Sequence, residues 1–238
     1  MGAHVVVSDI NESDVQAVAN TIGAYAVPAD IGTAAGVATL IEEATAHLGD
    51  IDIFFANAGI IGESGLGDSD AAWAQILDVN VLAHVRAARL LMPRWVERGS
   101  GRFVVTASAA GLLSMVDAAS YSVTKHAAVA LAEWLAITYG SAGVIVQALC
   151  PQGVRTPMLD ASAHLAELLS AHGALEPTDV ADIVWGAFED NRFLILPHPE
   201  VADFSKFRAS DPDRWLAGMQ RLQAKVDAAK TAQQEVGA

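Results

Sequence analysis

Apolar positions along the 238 residues fall into short continuous runs separated by longer stretches with helical periodicity. The runs at Ala3–Ser8, Tyr25–Pro28, Ile51–Ala56, Arg102–Thr106, Val144–Leu149 and Phe193–Leu196 have the length of strands. Most are rich in β-branched residues without strict alternation, as in a parallel sheet covered on both faces. Pro28 argues for an edge position for the second strand. Between the runs, Asn11 or Ser13 caps a helix with Val15, Val18, Ala19 and Ile22 on its buried face, and Gly23 stops it. Further helices are predicted over Thr33–His47, Asp70–Arg98 with a kink at Pro93, Ser120–Tyr139, Met158–His172 and Pro177–Glu189. The tail over 200–238 reads as amphipathic helix. Strands alternating with helices of about a dozen residues or more predict one α/β domain spanning 1–238, a doubly wound parallel sheet with helices on both faces.

In that architecture ligands sit outside the carboxyl ends of the strands. Asp9, Asn57, Ser108 and Pro151 all fall there. Tyr121 and Lys125, four apart near the start of a helix, share one face with Cβ atoms roughly 6 Å apart. A phenol titrates near ~10, too high for proton transfer at neutral pH. An ammonium about 4 Å away favours phenolate by roughly 1–4 kcal/mol, depending on dielectric. Ser108, at the end of an apolar strand, is placed to donate a hydrogen bond to a substrate oxygen. The glycine-rich stretch Gly62–Gly67 does not pass directly from strand end to helix start, so it reads as a surface loop rather than a phosphate cradle. His84, His126, His164 and His172 lack ligand spacing, and no metal is expected.

Charge narrows the partners. Fourteen Lys and Arg against 28 Asp and Glu give a formal charge of -14, which repels nucleic acid and anionic membrane. No apolar run reaches the roughly 18 residues of a membrane span. The single cysteine, Cys150, suits a reducing compartment, and the expectation is a cytoplasmic protein.

Four segments carry a resemblance. V-V-T-A-S-A-A-G-L with Y-S-V-T-K-H-A-A-V, F-F-A-N-A-G at 54–59, L-D-V-N-V at 77–81 and C-P-Q-G-V-R-T-P-M at 150–158 occur in order. Together they resemble the classical short-chain dehydrogenase/reductases. The resemblance implies a Rossmann-like fold and hydride transfer between NAD(H), with NADP the lesser expectation, and an alcohol or ketone. It implies Tyr121 as general acid/base, Lys125 lowering its pKa and holding the ribose, Ser108 orienting the substrate oxygen, and Asn80 supporting the proton relay. Asp9 is matched to the acid at the adenosine ribose, or is a helix cap or turn acid. Asp30, followed by Ile31, is matched to the acid at the adenine, or caps the next helix. Asn57, Ala58 and Gly59 would pass beneath the cofactor, with Ala56 replacing the first asparagine of N-N-A-G. Pro151, Val154 and Thr156 would line the nicotinamide pocket, with Gln152 where a glycine is usual. Leu112, Leu113, Met115, Met158, Leu159, Leu165 and Leu168 either line an apolar substrate pocket or are ordinary core. The family is commonly tetrameric through two long helices, and Val81, Val85, Val129 and Trp134 suggest a homo-oligomer, tetramer or dimer, here.

The glycine motif T-G-x-x-x-G-x-G does not occur in these residues. Gly2–Val7 resembles the family's second strand, so the chain reads as starting one βα unit late. That absence predicts a gap of roughly 10 Å between the strands at 4–8 and 51–56, and loss of a helix N-terminus that binds pyrophosphate. The alternative reading is a scaffold that keeps oligomer contacts but binds cofactor poorly.

Overall fold

The computed structural model describes residues 2–161 and 173–236. Its elements alternate as the sequence pattern predicts. They are β1 (Val6–Asp9), α1 (Glu12–Ile22), β2 (Tyr25–Pro28), α2 (Ala34–Leu48), β3 (Ile53–Ala56), α3 (Asp70–Leu77), α4 (Ala83–Arg98), β4 (Gly101–Thr106), α5 (Ala119–Tyr139), β5 (Val144–Leu149), α6 (Pro157–Ala161), α7 (Pro177–Asp190), β6 (Leu194–Ile195), α8 (Glu200–Ser210) and α9 (Pro212–Val236). Every strand pairing is parallel. The strands form two sheets, β1-β2 and β3-β4-β5-β6, and β1 does not pair with β3.

Strand β4 shows how the layers form. Phe103 and Val105 point into a cluster with Val37 and Ile41 of α2, Leu91 and Trp95 of α4, and Ala128 and Ala132 of α5. Val104, one residue out of phase, packs on the other face with Val184 and Ala187 of α7. The two-residue period of the strand thus feeds two helix layers. Trp95 ties them to the β3 end of the sheet, its indole N–H donating to the Ile51 carbonyl at 2.7 Å.

Several boundaries differ from the sequence reading. Asn11 is the cap of α1, accepting from the N–H groups of Ser13 and Asp14. Val15 and Ala19 are buried, but Val18 and Ile22 are 50% and 57% exposed, because the helix packs through a stripe narrower than its apolar face. α4 continues through Pro93 as one helix, and the long helix predicted over Asp70–Arg98 is divided at Asp78–Leu82 by a π turn between α3 and α4. The predicted helix over Met158–His172 is described only as α6, and Leu165, Leu168, His164 and His172 lie outside the described residues.

The last two helices fold back on the segment between Ser108 and Tyr121. Arg208 donates to the Leu112 carbonyl. Gln223 accepts from the Asp117 N–H at 3.0 Å, and Lys230 pairs with the Asp117 carboxylate. Leu112 and Leu113 pack with Val201, Phe204 and Trp215; Met115 packs with Val226, Met219 and Leu222. All three side chains pack against the last two helices, Leu113 buried and Leu112 and Met115 half-buried.

Candidate active site

The carboxyl ends of β3, β4 and β5 converge. The Ala107 N–H donates to the Leu149 carbonyl at 2.9 Å and the Ala109 N–H to the Pro151 carbonyl at 2.8 Å, so Ser108 is gripped on both sides by the chain leaving β5. Ser108 caps the single 3₁₀ turn that follows, its Oγ accepting from the Ala110 N–H at 3.1 Å. Within this turn Gly111 meets α5 directly, and a Cβ there would lie 2.4 Å from the Lys125 carbonyl oxygen. The Ser108 hydroxyl lies close enough to the Tyr121 phenol to act on its pKa. Tyr121 and Lys125 share the first turns of α5, with Lys125 Nζ 5.5 Å from the Tyr121 ring centroid.

The electrostatics differ from the expected depression of the phenol. Burial raises the Tyr121 pKa, and the Ser108 hydroxyl opposes it. Lys125 is itself buried, and loss of hydration lowers its pKa to about 8, with Cys150 acting the other way. One of its N–H groups donates to the Thr106 carbonyl at 2.9 Å. The ammonium is thus aimed at the end of β4, and burial, which favours the neutral phenol, wins. Cys150, buried beside it, is pushed up to about 12 by desolvation, against the Ser108 backbone and Lys125.

Asn80 lies in the π turn and is fully buried. Its Oδ1 accepts from the Ile60 N–H at 2.8 Å, and its Nδ2 donates to the Ile60 carbonyl at 2.9 Å and the Thr124 hydroxyl at 3.0 Å. The side chain therefore stitches the loop after β3 to α5. Gly59 sits at that seam, where a Cβ would lie 3.3 Å from both Asn80 Oδ1 and Lys125 Nζ. Asn57 Oδ1 accepts from the Thr106 hydroxyl at 3.0 Å, and Ala58 between them is exposed.

The remaining candidates lie further out. Asp9 is exposed at the end of β1, its Oδ1 accepting from the Asn11 N–H at 2.9 Å, which makes it a turn acid whatever else it binds. Asp30 Oδ1 accepts from the Gly32 N–H at 3.0 Å. The cap of α2 is Thr33, not Asp30, and Ile31 packs against the core. Thr156 Oγ1 donates to the Val154 carbonyl at 3.2 Å.

Two buried histidines were missed as site residues. His198, just past β6, accepts from the Gln152 N–H at 3.1 Å through Nδ1 and reaches the Gly173 carbonyl at 3.2 Å through Nε2. It fixes the loop where Gln152 replaces glycine, and its position at a strand's carboxyl end was the available signal. His84, on α4, is held neutral with a pKa of about 3 by desolvation, with Lys125 adding to the effect. Among the described residues no group of three His, Cys, Asp or Glu is placed to hold a metal, and no helix is long and apolar enough to cross a membrane.

Comparison with known proteins places the chain in a family. Residues 1–165 match the short chain dehydrogenase family. The chain is 33% identical over 215 residues to 1-deoxy-11-beta-hydroxypentalenate dehydrogenase of Streptomyces avermitilis, covering 84% of this chain and 77% of that protein. It is 30% identical over 212 residues to cyclohexanol dehydrogenase of an Acinetobacter species, covering 85% and 84%. The crystal structure of a short chain dehydrogenase/reductase from Burkholderia phymatum in complex with NAD superposes with a TM-score of 0.81 at 28% identity, covering 88% of this chain and 85% of that one.

Proposed function

The chain belongs to the short-chain dehydrogenase family of oxidoreductases, and on that premise we propose that it transfers a hydride between NAD(H) and the carbinol or carbonyl carbon of a small alcohol or ketone. The observation that carries this reading is the convergence of Ser108, Tyr121 and Lys125 on one point outside the strand ends. Two relatives of the chain are named as dehydrogenases of alcohols, which supports the substrate class.

The residues present suit the two ends of a nicotinamide dinucleotide. Lys125 keeps two N–H groups beyond the one given to Thr106, enough for ribose hydroxyls. The exposed Asp9 carboxylate keeps acceptor capacity beyond Asn11 and repels a 2'-phosphate, which supports NAD over NADP. Thr156, Val154 and Pro151 flank the same strand ends for the nicotinamide amide. When bound, the nicotinamide would supply or accept the hydride. Tyr121 would hold or take the proton at the substrate oxygen, with Ser108 orienting that oxygen and Lys125 favouring phenolate once the phenol is engaged. Asn80 would support the relay by fixing the Gly59–Ile60 backbone beside Lys125. Exposed side chains on α4 and α5, with Trp134 at 56% and Ile137 at 76%, support a helix-packed homo-oligomer, tested by light scattering at micromolar concentration.

The test is Tyr121→Phe assayed with a cyclic secondary alcohol and NAD, following reduced cofactor by absorbance. Turnover should fall by about 10²–10⁴-fold with NAD binding nearly unchanged, and unchanged turnover ends the assignment. A second reading, a scaffold impaired in cofactor binding, is favoured by the unpaired edges of β1 and β3. Absence of any NAD-induced thermal shift would select it.

A further inference from the structure

Among the buried histidines, one is anomalous. His198 is buried with both ring nitrogens engaged. The half-buried His126 also reaches the Ser122 carbonyl at 2.8 Å through Nδ1 and Arg208 at 3.2 Å through Nε2. His84 is 2% exposed, and neither of its ring nitrogens has a hydrogen-bond partner among the described residues. Leaving such a group unpaired costs about 1–3 kcal/mol, and leucine would fill the same position without that cost.

The position supplies a reason. His84 stands four residues after Asn80, just beyond the π turn at Asp78–Leu82, an irregularity that often marks functional sites. The Ala58 backbone interacts with the ring and opposes the lowering of its pKa without closing a hydrogen bond of normal geometry, and Lys125 is near enough to act on the ring's charge. Lys125 is a donor only, with N–H groups beyond the one given to Thr106, whereas a neutral imidazole offers an acceptor nitrogen. Gly59 leaves the space beside Lys125 Nζ and Asn80 Oδ1 clear of its own side chain, and polar partners of this kind suit an ordered water.

We propose that His84 is a positioning residue for the reaction assigned above: its neutral imidazole accepts, through one bridging water, a hydrogen bond from the Lys125 ammonium and keeps that group charged and aimed at the site. This rests on the reading of Lys125 as the partner of Tyr121. The ring itself takes no proton. The other titratable groups around Lys125 are Tyr121 on α5 and Cys150 after β5, both held in their neutral forms by burial, so the hydrogen bond has no carboxylate to compete with.

The experiment titrates the Lys125 amine by NMR in protein labelled at the lysine ε-carbon, with Lys125→Met to assign the signal, in wild type, His84→Leu and His84→Gln. In His84→Leu the Lys125 midpoint should fall by about one pKa unit while the thermal midpoint holds or rises. His84→Gln, which retains an acceptor, should restore most of the difference. A Lys125 midpoint unmoved by leucine, or moved equally by both replacements, overturns the proposal. Nitrogen shifts of the wild-type ring give a measurement independent of folding in the variants. One protonated and one hydrogen-bonded bare nitrogen should persist across about pH 5–9, and a doubly protonated ring there also overturns it. Tyr121→Phe turnover, assayed alongside, judges the catalytic reading separately, because the lysine titration needs neither substrate nor cofactor.

Discussion

Strands β3 and β4 are neighbours in one sheet, and their sequences, I-F-F-A and G-R-F-V-V-T, are both dominated by apolar residues. In β4, Phe103, Val104 and Val105 are each 0% exposed, whereas in β3 Ile53 is 41% and Phe55 47% exposed. The difference lies in what surrounds each strand. β4 has a paired strand on each side and a helix layer on each face, while β3 has one paired edge, with Phe188 6.1 Å from Phe55 between ring centroids. An apolar run therefore states what a strand can bury, and its neighbours decide what it does bury. Ser108, Tyr121 and Lys125 stand on the well-covered side. Asp9 stands on the two-stranded piece across the unpaired edge.

That contrast can be tested by closing it. A chain extended upstream of Met1 by a strand, a glycine turn and a helix should gain the most, with a raised thermal midpoint and a larger NAD-induced thermal shift than the 238-residue chain. Equal shifts in both would show that the open edge has no bearing on cofactor binding. Next in size, Phe103→Ala should cost about 3–5 kcal/mol by denaturant unfolding and Phe55→Ala about 1 kcal/mol or less; equal losses would mean that β3 is as well covered as β4.

Smaller effects follow from charge. Lys125 titrates near 8 in the folded protein against 10.5 unfolded, so the unfolded chain binds the extra proton between these values. Stability should then rise with pH from about 8, by up to roughly 1.4 kcal/mol per pH unit, until Cys150 opposes it above 9. Lys125→Met should remove that rise. Smallest is Asp9→Ala, which should erode a preference for NAD over NADP by about tenfold, read from titrations of both cofactors; tighter NADP binding by the unaltered chain would leave Asp9 as a turn acid alone.

Much of this was legible in the sequence, for identifiable reasons. Val144–Leu149 and Tyr25–Pro28 are bounded by glycine and loop signals, so their limits coincide with β5 and β2. The positions of Ser108, Tyr121 and Lys125 follow from a strand end and one helix turn, both short-range. The π turn at Asn80 was not legible, because D-V-N-V-L reads as ordinary helix, and the Asn80 contact with Ile60 that accompanies it lies twenty residues away. Nor was the direction of the Tyr121 pKa, since spacing along a helix places an ammonium near a phenol but says nothing of how much water either keeps. Leu112 and Met115 pack against residues about a hundred positions later, beyond the reach of any local pattern.

The backbone contact of Gly111 on Lys125 sets a dimension. With only a hydrogen at that position, the turn carrying Ser108 rests on the helix carrying Tyr121 and Lys125 as one machined face rests on another, and the clearance between serine and phenol is whatever that seating leaves. An alanine there would act as a shim, forcing a gap of an ångström or more, and misplacement on that scale is enough to cost about 10²-fold in rate.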